Sequence, residues 1–128
     1  MKITDKLVML HLAVNDMAKT KEFYAGKLGF KVTKDKEYGG KHWVSMALPG
    51  GGTSINFTTE HENMKPGTYK LYFSSPDVKA AYEELTSQGV KPVKELADDW
   101  GKWEKDSKGG SWFEVNDPDG NQVLIIPA

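Results

Sequence analysis

The chain has 128 residues, of which 38% are hydrophobic and 27% are charged, and this length suffices for one compact domain with a single core. Seventeen Lys and Arg against eighteen Asp and Glu give a net charge of −1, so no overall field favours a nucleic acid or an anionic membrane. The absence of cysteine excludes disulfides, zinc–thiolate sites, iron–sulfur clusters and thiol nucleophiles.

The N-terminal residues 1–6 carry charges before only a short apolar run. That run is too short for a signal peptide or a membrane span. We therefore expect a cytoplasmic protein whose partner is a small molecule, with no nucleic acid and no membrane involved.

The first half of the chain predicts the order strand, helix, strand, strand, strand. Residues 7–14 form an apolar run interrupted only by His11, and Asn15-Asp16 after it suits a helix cap. Apolar residues then recur at helical spacing from Met17 to Leu28, and Gly29 predicts the end of the helix. The three further strands are predicted at 30–33, 42–48 and 53–58, with a turn at 35–40.

The same order recurs in the second half. A strand at 69–73, a helix at 77–88, a strand at 90–94 and a hairpin of strands 112–115 and 122–126 are predicted. Pro92 places its strand at a sheet edge or at a bulge. A repeat of about 60 residues indicates two βαβββ modules rather than a solenoid. The first covers about residues 5–59, the connector is 60–67, and the second covers about 68–128.

The tight turn at 116–121, Asn-Asp-Pro-Asp-Gly-Asn, is the most specific motif. Pro118 fixes φ as the second turn position requires, Gly120 and Asn121 tolerate positive φ, and the Asp side chains can bond their own backbone. These preferences explain the turn without any function. The sextet also resembles the Asp-Pro-Asp-Gly-Asn signature of the vicinal oxygen chelate superfamily, which holds glyoxalase I, extradiol dioxygenases, fosfomycin-resistance enzymes and bleomycin-resistance proteins.

The resemblance covers nearly the whole chain, since residues 16–30 are similar to the first helix of that superfamily and 112–126 to its last two strands. It implies an α+β fold in which each βαβββ module curls its sheet into half of a cup that holds the ligand. It also implies a homodimer.

Relatives in this superfamily hold a divalent ion with His or Gln and Glu on the inner strands, one pair per module. Counting from the matching motifs places these positions at Met9, Asn56, Lys70 and Leu124. None of the four keeps the expected side chain, and Met9 and Lys70 are not plausible ligands for a hard ion. The resemblance therefore implies no cofactor, and a metal-free protein similar to the bleomycin-resistance type that binds a small organic, aromatic or antibiotic-like molecule.

His11 keeps an enzymatic alternative open, because it lies two positions from Met9 and shares its face. It either lines the cavity, holds a metal, or acts as a general base with Lys70 as its partner. The alternative function is a metal-dependent or His-based lyase, isomerase or dioxygenase of the glyoxalase type. Lys70 either extends to water or anchors an anionic or carbonyl-bearing ligand. His42 and His61 are expected to be ordinary surface residues.

Four Trp residues offer a possible ligand surface, because flat rings stack on conjugated or cationic molecules. Trp43 and Trp112 lie in predicted strands, where a core role also explains them. Trp100 and Trp103 lie in a polar segment, where they form either a pocket lid or a loop staple. Asp98-Asp99 either attract a cationic ligand or are simply solvated. The predicted ligand-binding residues are Met9, His11, Asn56, Lys70, Tyr72, Trp100, Trp103, Trp112, Glu114 and Leu124, of which His11 and Lys70 are also the catalytic candidates.

Overall fold

A computed structural model describes all 128 residues, from Met1 to Ala128. The chain divides into two compact units, Met1–Pro66 and Gly67–Ala128. Each unit contains one helical segment and one four-stranded mixed sheet, in the order βαβββ. The prediction of an α+β fold built from two similar modules is confirmed.

The first unit contains β1 (Met9–Ala13), α1 (Met17–Lys21) continued by the π-helix Glu22–Lys27, β2 (Lys31–Tyr38), β3 (Lys41–Ala47) and β4 (Ser54–Thr58). The second contains β5 (Lys70–Ser75), α2 (Val78–Ser87), β6 (Pro92–Ala97), β7 (Trp112–Asn116) and β8 (Gln122–Pro127). The strand orders β1-β4-β3-β2 and β5-β8-β7-β6 are equivalent. In both sheets the first pair is parallel and the other two pairs are antiparallel. No helix is long and apolar enough to cross a bilayer.

Both helices begin at an aspartate. The Asp16 side chain accepts a hydrogen bond from the backbone N–H of Lys19, and the Asp77 side chain accepts one from Ala80. These bonds satisfy N–H groups that have no partner inside a helix. The predicted starts of the two helices are confirmed.

The first helical segment departs from the prediction of one α-helix over Met17 to Leu28, because its second half is π-helical. Leu28 N–H donates to the Phe23 carbonyl, five residues earlier. The adjacent rings of Phe23 and Tyr24 are both buried against the rest of the unit, and the wider turn of a π-helix is compatible with burying both.

Strand β2 continues to Tyr38, so the predicted turn at 35–40 is wrong except for its last residues. The strand lies at the sheet edge and is exposed along its whole length, so its polar residues stay solvated. Asp35 also accepts hydrogen bonds from Lys21 and His42, which hold this part of the strand in place. In the second unit, β6 is an edge strand with a register shift after Pro92, as the proline predicted.

The apolar core of each unit lies between its helical segment and one face of its sheet. In the first unit Tyr24 packs on Phe57 with ring centroids 4.7 Å apart. In the second unit Tyr82 of α2 packs edge-on against Phe113 at 5.2 Å. The helix does not cover the opposite face of each sheet, and that face can therefore hold functional side chains.

The turn at 116–121 is closed by its own polar side chains. Asp117 Oδ1 accepts from the backbone N–H groups of Asp119 and Asn121, and its Oδ2 accepts from Asn121 Nδ2 at 2.7 Å. Asn121 Oδ1 in turn accepts from the backbone N–H of Tyr69 at 2.9 Å. Gly120 has φ +91°, as predicted for this position. These bonds confirm the structural explanation of the motif.

Candidate functional site

In the first unit a hydrogen-bonded row crosses the sheet face opposite α1. His11, Asn56 and Ser45 are register partners on three neighbouring strands, so their side chains share this face. Ser45 Oγ donates to Asn56 Oδ1 at 2.9 Å, and Asn56 Nδ2 donates to His11 Nδ1 at 2.7 Å. Since Nδ1 accepts in this arrangement, a neutral His11 carries its proton on Nε2. We name Ser45, Asn56 and His11 the amide row.

Trp43 lies beside the amide row, with its ring centroid 5.1 Å from that of His11 and the planes tilted by 56°. Its indole Nε1 is buried without a hydrogen-bond partner. Met9 is the Cα partner of Ser54, at the exposed start of the same strand face. The structure therefore brings Met9, His11 and Asn56 onto one face, as predicted from the spacing.

The four positions at which relatives hold a divalent ion, Met9, Asn56, Lys70 and Leu124, do not provide suitable ligands here. Asn56 is fully buried and has both ends of its amide engaged by neighbouring side chains. Met9, Lys70 and Leu124 supply a thioether, an ammonium and an aliphatic group, none of which is a ligand for a hard cation. No group of three or more His, Cys, Asp or Glu side chains is arranged to hold a metal ion.

In the second unit the equivalent row has different chemistry. Tyr72 pairs with Leu124, Leu124 with Glu114, and Glu114 with Lys94. These four side chains share the sheet face opposite α2. Leu124 occupies the place that Asn56 has in the first unit, so no amide links its neighbours.

An aromatic cluster, which consists of Tyr72, Trp100, Trp103 and Trp112, covers part of this face. The Trp100 ring is the centre of the cluster, with centroid distances of 5.1 Å to Trp103, 5.9 Å to Trp112 and 6.1 Å to Tyr72. Tyr72 is 50% exposed and Trp103 is 69% exposed. Large aromatic side chains normally bury most of their surface, so the cluster offers accessible ring area for stacking.

The segment 98–110 holds Trp100 in the cluster. Its base is closed by the Trp100 backbone N–H, which donates to the Gly110 carbonyl at 3.0 Å. Asp99 Oδ1 accepts from Trp112 Nε1 at 2.7 Å, and this bond is the main cause of a lowered pKa of the Asp99 carboxyl. Gly109 has φ +79°, and a Cβ there would lie 2.7 Å from the Asp98 carbonyl oxygen. Glycine is therefore required where the segment folds back on itself.

Two ammonium groups lie beside the rings of the aromatic cluster. Lys70 Nζ is 5.5 Å from the centroid of Tyr72, and Lys94 Nζ is 5.8 Å from that of Trp112. Both distances are within the range of cation–π attraction. The predicted residues Lys70, Tyr72, Trp100, Trp103, Trp112, Glu114 and Leu124 thus lie on or beside one face of the second unit.

His42 lies on the helix side of the first sheet, away from the amide row. Its Nε2 is 2.5 Å from Asp35 Oδ1, and its Nδ1 is 3.4 Å from Glu37 Oε1. Lys21 and His42, in that order, lower the pKa of Asp35 through their hydrogen bonds. His61 Nε2 contacts the Val14 carbonyl oxygen at 2.9 Å. Both histidines are partly exposed and have partners within the first unit, and neither belongs to the amide row.

Ser45, Lys94 and the indole contact of Asp99 were missed by the sequence reasoning. The internal repeat contains a usable signal, because Trp43 with Ser45 and Trp112 with Glu114 have the same spacing of two residues. That spacing puts each pair on one strand face. Lys94 follows from its pairing with Glu114, which the register shift in β6 hides from the sequence.

Comparison with known proteins agrees with this architecture. The family model described as Glyoxalase/Bleomycin resistance protein/Dioxygenase superfamily matches residues 6–125. The Bacillus subtilis (strain 168) protein YetH is 25% identical over 118 residues, which are 88% of this chain and 89% of that protein.

Solved structures of similar proteins cover both units. A member of the same superfamily from Sphaerobacter thermophilus DSM 20745 matches with a TM-score of 0.80 and 25% identity, over 99% of this chain and 100% of that one. TnmS3, an antibiotic binding protein from Streptomyces sp. CB03234, matches with a TM-score of 0.74 and 27% identity, over 100% of this chain and 99% of that one.

Proposed function

The chain belongs to the Glyoxalase/Bleomycin resistance protein/Dioxygenase superfamily, and we propose that it binds a planar aromatic, antibiotic-like small molecule on the aromatic cluster without a metal ion. The observation that carries this proposal is the cluster itself. The Trp100 ring contacts the rings of Tyr72, Trp103 and Trp112, and the Tyr72 and Trp103 rings remain exposed to solvent. The similarity to an antibiotic binding protein supports the same class of ligand.

Stacking supplies the attraction in this proposal. An offset or edge-on contact between two aromatic rings contributes about 0.5–1.5 kcal/mol beyond the burial of apolar area. A fused-ring ligand that covers Tyr72 and Trp100 makes two such contacts and removes exposed ring surface from water. Segment 98–110 is already closed by hydrogen bonds, so little ordering of the chain opposes binding.

A metal ion is not part of the proposed site. The amide of Asn56 is engaged on both sides, and the other three implied positions hold no ligand group. Binding through the aromatic cluster needs no such group.

Calorimetric titration of acridine into EDTA-treated protein tests the proposal. Trp100→Ala should weaken binding by at least tenfold, because it removes the central ring of the cluster. Tyr38→Ala is the matched control, since Tyr38 is an exposed aromatic in the first unit, and it should leave the affinity unchanged. Equal affinity of Trp100→Ala and the wild type would overturn the proposal.

A second candidate function is His-based lyase or isomerase chemistry of the glyoxalase type. The observation that favours it is the Asn56–His11 bond, which fixes the imidazole with Nδ1 as acceptor. An imidazole held with its proton on Nε2 is oriented to donate that proton, which is the role of a general acid. Turnover of a glutathione hemithioacetal with and without added Ni²⁺ or Zn²⁺, compared between wild type and His11→Ala, tests this candidate. Turnover that is absent in the wild type would remove it.

We also propose a homodimer in which β1 pairs with a second copy. This strand lies at a sheet edge, and an exposed apolar run leads into it, formed by Leu7 and Val8 before the strand and by Met9 and Leu10 at its start. An exposed apolar edge strand is a ready template for pairing. Val8→Lys should convert a dimer to a monomer in light scattering, and a monomeric wild type would refute the proposal.

The proposed ligand is a small molecule rather than a nucleic acid or a membrane, because the net charge of −1 supplies no field for a polyanion. The cysteine-free sequence is compatible with the reducing cytoplasm, where we place the protein. Fractionation of cells that express a tagged copy tests this location.

A further inference from the structure

Glu114 is a buried carboxylate that lacks a strong partner. It is only 6% exposed, and its hydrogen bond is one from Gln122 Nε2 at the long distance of 3.4 Å. A charged group taken out of water is costly unless it is paired or well hydrogen-bonded. Such a group next to an accessible aromatic surface is a candidate for pairing with a ligand.

The comparison of the two units explains why Glu114 is left in this state. In the first unit Ser45, on the third strand, donates to Asn56 on the neighbouring strand. In the second unit Glu114 is opposite Leu124, which offers no hydrogen-bonding group. The second row therefore has its polar group on the same face but no hydrogen-bond partner within the row, which leaves Glu114 only the long contact from Gln122.

The cations near Glu114 are directed elsewhere. Lys94 is its cross-strand partner, but the Lys94 ammonium lies over the ring of Trp112 at 5.8 Å. Lys70 lies over Tyr72. Neither lysine forms an ion pair with Glu114.

We propose that Glu114 receives a protonated amine of the ligand, so that the preferred ligand is a planar aromatic cation. This inference rests on the proposed function and specifies the chemistry of its ligand. Tyr72 and Glu114 are two strands apart across the sheet, a span of about 10 Å. Three fused rings have about this length, so one end of the ligand stacks on Tyr72 and Trp100 while the amine reaches Glu114.

An anionic ligand is disfavoured because the lysines that it would contact are exposed, whereas Glu114 is buried. Lys70 and Lys94 are exposed, so water already solvates their ammonium groups and an anionic ligand gains little from them. The buried Glu114 carboxylate has lost most of its hydration. A cationic partner therefore gains more at Glu114 than an anionic partner gains at the lysines.

Three probes with the same fused-ring size test the inference by calorimetry: 3,6-diaminoacridine, a cation at neutral pH whose amino groups are on the outer rings; acridine, which is neutral; and anthracene-2-carboxylate, an anion. We expect the wild type to bind 3,6-diaminoacridine at least tenfold more tightly than acridine. Glu114→Gln keeps the shape of the side chain and should abolish this preference with little change in acridine affinity. Glu83→Gln removes the same charge from an exposed position on α2, on the opposite side of the sheet, and should retain the preference.

Equal affinity of the wild type for the two acridines, a preference for the carboxylate, or a preference that survives Glu114→Gln would overturn the inference. Acridine binding that depends on Trp100 but shows no preference for the cation refutes the role of Glu114 alone. Failure of all three probes to bind refutes the aromatic site as well. If Glu114→Gln does not fold, Glu114→Leu replaces it, because it fills similar space with no polar atom.

Discussion

Asn56→Leu should destabilise the protein by about 1–3 kcal/mol, because it removes the centre of the amide row. Asn56 is fully buried and makes bonds of 2.9 Å with Ser45 and 2.7 Å with His11. The hydroxyl of Ser45 is buried and loses its acceptor, whereas His11 is only half-buried and can recruit water. The unsatisfied hydroxyl therefore supplies most of the cost, and the apolar surface of the new side chain offsets part of it.

Urea denaturation at neutral pH measures this change. For a chain of this size each kcal/mol corresponds to about 3–5 °C in Tm, so thermal unfolding gives a second readout. Asn63→Leu, in an exposed turn of the same unit, is the matched control and should change stability by less than about 0.5 kcal/mol. Wild-type stability in Asn56→Leu would show that the amide row contributes nothing to the fold.

The tautomer of the His11 ring tests the hydrogen bond between Asn56 and His11 directly. Its ¹⁵N shifts in the wild type should identify the tautomer with the proton on Nε2. In Asn56→Leu we expect a mixture of both tautomers. A wild-type spectrum with the proton on Nδ1 would contradict the arrangement of the amide row.

Two further predictions concern segment 98–110. Gly109→Ala should lower stability by about 1–3 kcal/mol in urea denaturation, because φ is +79° and the added Cβ would lie 2.7 Å from the Asp98 carbonyl oxygen; unchanged stability would refute the close approach. Trp112→Phe should raise the pKa of Asp99 in ¹³C-detected titration, because the indole donor that is the main cause of its lowered pKa is lost. A carboxyl with a lowered pKa in the folded state contributes stability above its unfolded pKa, and that stability is lost as pH falls through the folded pKa. Acidification should therefore destabilise the wild type more than Trp112→Phe, and equal losses would contradict the assignment.

Local elements could be predicted from the sequence where the chemistry of a single residue determines the backbone conformation or its hydrogen bonding. Asp16 and Asp77 cap their helices, and Asp117 closes the turn, because a short carboxylate next to unpaired N–H groups has few other arrangements. Pro92 marks an edge strand because it cannot donate a hydrogen bond.

Tertiary contacts decided the elements that were mispredicted. Residues 35–40 were predicted as a turn, but 35–38 pair with β3 and extend β2, and Asp35 also pairs with Lys21 from α1. The spacing of two residues was sufficient to place His11 and Met9 on one face.

The environment of Glu114 could not be read from the sequence. Its burial depends on neighbours from other strands, and its weak hydrogen bonding depends on Leu124, which lies opposite it on β8 and has no polar atom in its side chain. Strand periodicity gives the face of a residue but not which side chains meet on it.

Calorimetric titration of acridine into metal-depleted protein, with Zn²⁺, Ni²⁺ or Mn²⁺ added back in parallel, tests the central claim most directly. The aromatic cluster should bind acridine with the same affinity in every sample, and Trp100→Ala should weaken it at least tenfold. Binding that appears only after a metal ion is restored would contradict the account.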